Sequence, residues 1–183
     1  MHLCEIYALT CGLKINKPFI KLSEIDLPKD PYITFHPDFS KGVSRRYAYW
    51  SSVVDRIKDL GYKIYRVGTD DKSFDHADVD DTYFKKCSIS ETAYLIKNAS
   101  LHLGYDSSLV HVASVVGQKI VSIYQCYSSH SYPYWSEDED IRLIEPDWTI
   151  QLPPMIYQEE QKYPVINTIS PIEIASAVKE LLS

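Results

Sequence analysis

Residues 101–124 read LHLGYDSSLVHVASVVGQKIVSIY, and the way this stretch divides decides the fold. Leu101-His102-Leu103-Gly104 is a β-prone run, closed by Asp106-Ser107-Ser108, residues that favour turns and helix starts. From Ser107 to Val116 the side chains read as a helix, and Gly117 supplies its stop. Lys119 to Tyr124 is then the most hydrophobic strand of the chain. Two strands joined through one helix are not a hairpin. The helix carries the chain back to its starting end, so the strands pair in parallel.

The cycle repeats upstream. Tyr32 to Phe35 reads as a strand closed by His36-Pro37-Asp38, and Arg45 to Leu60 as an amphipathic helix with Gly61 as its stop. Tyr62 to Val67 alternates as a second strand and ends at Gly68, and an acidic loop runs from Thr69 through Asp81. Ser90 with Thr92 is read as the cap of a helix through Lys97. Downstream come a strand at 141–144, a proline-rich stretch at 146–164 and a C-terminal helix entered through Ser170-Pro171. At the other end, 2–12 reads as a short helix stopped by Gly12, and 14–31 as an extended connector. The expected organisation is residues 1–31 as helix and connector and 32–183 as one domain. Its class is α/β, a Rossmann-like doubly wound parallel sheet.

Composition narrows the function. The 183 residues carry 19 Lys and Arg against 25 Asp and Glu, a net charge of −6, which argues against a nucleic-acid surface. No apolar run approaches bilayer length, and the start has no basic region before an apolar one, so a cytoplasmic location is expected. The four cysteines, Cys4, Cys11, Cys87 and Cys126, show no metal-ligand spacing and are expected to be reduced. The acidic loop does not follow a calcium-binding pattern, and no metal is expected. Tyrosine occurs 15 times, suited to stacking on bases or sugars but more simply read as lining a core or a contact.

In an open parallel sheet the ligand lies beyond the carboxyl ends of the strands. The loops there hold His36, Asp38, Ser40, Lys41, Asp70, Asp71, Lys72, Asp106, Ser107, Ser108 and His111, a set able to hold a diphosphate and sugar hydroxyls. Asp106 or Ser107 is read as the cap of the helix, whose first amides and positive dipole end face an anion. His111 projects toward the same place, or is instead a buried histidine satisfied by a carbonyl.

Asp106-Ser107-Ser108-Leu109-Val110-His111-Val112-Ala113 resembles the Asp-Ser/Thr-Gly-x-x-His motif of the bacterial heptosyltransferases, GT-B enzymes of lipopolysaccharide core assembly. Ser108 stands in place of the glycine. The His36-Pro37 loop, Val67-Gly68, Ser88-Ile89-Ser90-Glu91 and Gly117-Gln118-Lys119 fall in the order the family has them, across residues 32–135. The resemblance implies a GT-B half-domain binding a nucleotide diphosphate sugar as substrate, with no cofactor. It implies Asp106 on the sugar, Ser107 and Ser108 with Lys41, Arg45 or Arg46 on the diphosphate, Ser40 and Gly68 in the adjoining loops, and Asp70 or Asp71 on the ribose. Asp38, where the family has a glycine, is expected to add negative charge beside the phosphate. The family's acceptor domain and its catalytic base have no counterpart here, so activity is expected to need a partner domain or chain, and a homodimer is expected. The alternatives are a non-catalytic nucleotide-sugar or carbohydrate-binding remnant, or a piece of a longer enzyme.

Overall fold

The computed structural model describes residues 1–38, 46–69, 74–125, 128–149 and 165–183. Its elements, in chain order, are α1 (Leu3–Cys11), β1 (Tyr32–His36), α2 (Trp50–Ile57), β2 (Lys63–Arg66), β3 (Val79–Asp80) and α3 (Ile89–Lys97), then β4 (Leu101–Tyr105), α4 (Ser108–Val116), β5 (Ile120–Ile123), β6 (Ile141–Ile144) and α5 (Pro171–Leu182). The strands form one six-stranded sheet in the order β3-β2-β1-β4-β5-β6, every neighbouring pair parallel. The chain winds outward from β1 to β3 and then restarts on the other side of β1 with β4. The order therefore reverses between β1 and β4, which are paired from Ile33↔Leu101 to His36↔Gly104.

Alternation along the strands sends side chains to two separate cores. Ile33, Phe35, Leu101, Leu103, Val121 and Ile123 meet Trp50, Val53, Val54 and Ile57 of α2 and Ile174 and Val178 of α5. Tyr32, Val67 and Ile120 meet Ala93, Leu95 and Ile96 of α3 and Leu109, Val110 and Ala113 of α4. Helices cover both faces, as a doubly wound sheet requires. Burying each such aliphatic side chain contributes about 1.5–3 kcal/mol. The connector expected at 14–31 has no helix or strand, and Ile20, Leu22, Ile25 and Leu27 pack against the α3/α4 core.

Four local details differ from expectation. α2 begins at Trp50, not at Arg45, because the preceding amides are committed elsewhere: Tyr47 donates to the Tyr105 hydroxyl at 2.6 Å and Ala48 to Asn167 Oδ1 at 2.8 Å. α3 is capped by Ser88, not Ser90. The spacing to Glu91 closes a reciprocal capping box, with Ser88 N–H on Glu91 Oε2 at 2.7 Å and Glu91 N–H on Ser88 Oγ at 3.3 Å. β3 lies inside the expected acidic loop; two residues carry no periodicity, and only their ladder with Ile64 and Tyr65 makes them a strand. Ser107 occupies the N-cap of α4 but does not cap the helix through its side chain as expected.

Several tyrosines fasten the fold. Tyr32 donates to Leu95 O, Tyr47 to Ile169 O and Tyr83 to Asp26 O, each at 2.8 Å. Cys4, Cys11 and Cys87 are free thiols, while Cys126 and most of the proline-rich stretch lie outside the described residues. Among the described residues no helix is long and apolar enough to cross a membrane.

Candidate functional site

The reversal between β1 and β4 opens a crevice beyond their carboxyl ends, because the crossovers on either side leave in opposite directions. His36 closes β1 there, and Tyr105-Asp106-Ser107 leads from β4 into α4. The two meet directly: His36 Nδ1 lies 3.1 Å from the Ser107 hydroxyl. His36 is flanked by two glycines, one against its ring and one against its backbone. A Cβ on Gly68, whose φ is +122°, would lie 2.8 Å from His36 Cδ2 and 2.9 Å from Nε2. A Cβ on Gly104 would lie 3.0 Å from the His36 carbonyl oxygen and 3.2 Å from its Cβ. At Gly68 a side chain would force the ring to shift, and at Gly104 it would press on the His36 backbone.

At α4 the N-cap Ser107 is extended, with φ −153° and ψ 172°, and the first turn carries no acidic side chain. The helix therefore presents its positive dipole end with no side-chain cap from Ser107. Asp106 accepts from Ser131 Oγ at 3.2 Å, and its other oxygen is 3.9 Å from His111 Nε2. His111 is half-exposed rather than an interior histidine. Burial, and then the nearness of His2, hold its imidazole below the ordinary value, so it is neutral at neutral pH. His2, the N-cap of α1, bonds Tyr132 O at 3.0 Å and packs on Tyr132 and Tyr134, which brings the amino terminus to this end of the crevice.

Gly68, Asp106, Ser107, Ser108 and His111 thus converge through His36 and α4. Ser108 is the exposed first residue of the helix. Arg46 is exposed and precedes α2 instead of lying on its first turn; its charge reaches the Tyr105 hydroxyl. Ser40, Lys41, Arg45, Asp70 and Asp71 lie outside the described residues. Ser131 is missing from the sequence-derived set and carried no signal; His36 was in that set, but its contact with Ser107 was not legible there.

Asp38 corrects an expectation. It does not leave a bare negative charge beside the crevice: it is 2% exposed and paired with Arg66 Nη2 at 2.5 Å. Arg66 also lies 3.8 Å over the Phe84 ring and donates to Phe74 O at 2.9 Å. One guanidinium therefore gathers the segments after β1, β2 and β3.

His102 lies beneath the crevice, fully buried on β4. Its Nδ1 is 3.0 Å from Thr34 Oγ1, which donates to Leu101 O at 3.4 Å. The Thr34 oxygen is thus left to accept, which assigns the proton to Nδ1. Burial, aided by His36, pushes the pKa down to about 3. The unfolded chain protonates this histidine near its ordinary value of about 6.5, while the folded chain resists until about pH 3. The stability this neutral histidine allows is intact above pH ~6.5 and is lost on acidification through that window, by about 1.4 kcal/mol per pH unit. Urea titrations at pH 7, 5.5 and 4.5 should show a steeper loss for the native chain than for His102→Asn; equal slopes would contradict the assignment.

Among the described residues Asp55, His76 and Asp78 hold their ligand atoms within 4.8 Å of one another. The cluster already contains a cation, for Lys58 Nζ lies 3.6 Å from Asp55 and 3.3 Å from Asp78. The Asp78 amide donates to His76 Nδ1 at 3.2 Å, so that lone pair is also taken.

Residues 8–148 match the model of glycosyltransferase family 9 (heptosyltransferase). The fold is shared with E. coli ADP-heptose lipopolysaccharide heptosyltransferase II, at 16% identity and a TM-score of 0.64 over 97% of this chain and 50% of that one. It is shared with a family 9 glycosyl transferase from Veillonella parvula, at 19% identity and 0.63 over 83% and 46%. It is also shared with the dodecameric iron-containing glycosyltransferase TibC of enterotoxigenic E. coli, at 18% and 0.65 over 93% and 50%. The chain spans about half the length of these structures. No protein of curated function matches it in sequence.

Proposed function

The chain belongs to glycosyltransferase family 9, and from that premise we propose that its crevice binds a nucleotide diphosphate sugar and serves glycosyl transfer without a metal. The observation that carries this reading is the α4 N-terminus, left without a side-chain cap at the switch point and flanked by Asp106. Amides at a helix start, together with its dipole, suit a diphosphate. As the bond from the sugar to the donor phosphate breaks, the leaving diphosphate gains charge, and those amides stabilise it as it forms. Ser107 and Ser108 stand at that end. Asp106, which accepts from Ser131, is placed to accept from sugar hydroxyls.

Within the same proposal Lys41, Arg45 or Arg46 adds positive charge to the diphosphate, and Asp70 or Asp71 holds the ribose. The acceptor site and the general base come from a further domain or chain. Tyr7 and Leu9 of α1 are 68% exposed and Leu13 just beyond it 67%, an apolar surface suited to self-association or to such a partner. A cytoplasmic site of action fits this reading.

Titration calorimetry with ADP-, UDP-, GDP- and CDP-sugars tests it. ADP-sugars lead the panel, because related structures carry ADP-heptose or ADP. One nucleotide class is expected to bind. Asp106→Ala should weaken that binding by roughly 10–100-fold, the worth of a hydrogen bond to a charged group. No binding by any donor, with Asp106→Ala without effect, would remove the reading.

A further inference from the structure

We propose that His36 is a positioning residue that holds the Ser107 hydroxyl away from the start of α4 and so keeps the helix amides open to the ligand; this rests on the nucleotide-sugar reading. A serine at an N-cap ordinarily turns its oxygen onto the amides of the second or third helical residue. Ser88 and Ser170 do so in this chain. Ser107 does not, although its backbone is extended as a cap requires. Its hydroxyl is engaged by His36 Nδ1 at 3.1 Å instead.

A second, independent observation is how the imidazole is held. A Cβ on Gly68 would stand 2.8 Å from the ring and a Cβ on Gly104 3.0 Å from the His36 carbonyl. β4 and the segment after β2 are thus kept free of side chains where they border one histidine, and Gly68 adopts φ +122° in doing so. This close seating fixes the ring with Nδ1 toward Ser107. The cap is satisfied from outside the helix, and the diphosphate does not have to displace it.

The positioning role predicts dependence on the side chain at 107. Affinity for ADP and for inorganic pyrophosphate is measured by calorimetry for the native chain, His36→Ala, Ser107→Gly and the double variant. In the serine background His36→Ala should weaken binding by about fivefold to tenfold, because the released hydroxyl now caps the helix. In the Ser107→Gly background the same change should do nothing. Equal loss in both backgrounds would overturn the proposal, since His36 would then contact the ligand or merely support the fold.

Amide hydrogen exchange gives a reading without ligand. Leu109 should exchange more slowly in His36→Ala than in the native chain, and the difference should vanish with Ser107→Gly; the Val110 amide already donates to the Ser107 carbonyl at 3.2 Å. Unchanged exchange would refute the positioning role. If the native chain binds neither probe while exchange behaves as stated, only the nucleotide-sugar reading fails. Should His36→Ala not fold, His36→Phe keeps the ring and lacks the nitrogen, and should behave as the alanine variant does. His36→Asn, with a polar atom near the place of Nδ1, should restore native affinity.

Discussion

Arg66→Ala is expected to destabilise the chain by roughly 3–5 kcal/mol, because it leaves the Asp38 carboxylate buried without its cation. Asp38 and Arg66 are 2% and 3% exposed, so water cannot replace the lost partner. A chain of this size loses about 2–4 °C of Tm per kcal/mol, and thermal denaturation should therefore show a fall of roughly 6–20 °C. The loss exceeds that of an ordinary surface ion pair because the guanidinium also lies on the Phe84 ring and bonds Phe74 O. Replacing both partners with apolar residues, Asp38→Leu with Arg66→Met, should recover much of the stability, since no buried charge remains. A fall under about 2 °C for Arg66→Ala would mean that the pair is solvated in solution.

Gly68→Ala should damage both fold and site. The backbone at φ +122° disfavours any L side chain, at about 1–3 kcal/mol. The added methyl would also meet His36 Cδ2 at 2.8 Å. If the ring yields, its bond to Ser107 breaks; if it stays, overpacking adds about 1–3 kcal/mol. Gly117→Ala is the control, because Gly117 has φ +74° with nothing within 4 Å of its absent Cβ, so only backbone strain is introduced. Urea denaturation together with ADP titration separates the two effects. Gly68→Ala should lose affinity, whereas Gly117→Ala should lose stability alone; equal behaviour of the two would show that the Gly68–His36 approach is not what matters.

Much of the architecture was readable because it is local. Gly12, Gly61 and Gly117 were read as helix stops, and all three have positive φ, as a left-handed terminal residue requires. Pro171 opens α5 behind a Ser170 cap. The strand-helix-strand unit at 101–124 announced parallel pairing. Misreadings arose where a distant partner intervened. Tyr105 and Asn167 draw the amides before α2 out of helical bonding, and β3 exists only through β2.

By itself, then, the sequence determined the α/β class and the glycine stops of the helices, and it drew attention to the loops proposed to hold the ligand, since periodicity and turn chemistry act within a few residues. Only the tertiary structure decided which side chains meet: that β1 lies beside β4, that Arg66 neutralises Asp38, and that His36 rather than the helix engages the Ser107 hydroxyl. These pairings join residues 28 and 71 positions apart. The first exists because β2 lies beside β1 and the second because the sheet reverses its order between β1 and β4, and no local pattern along the chain encodes which strands will be neighbours.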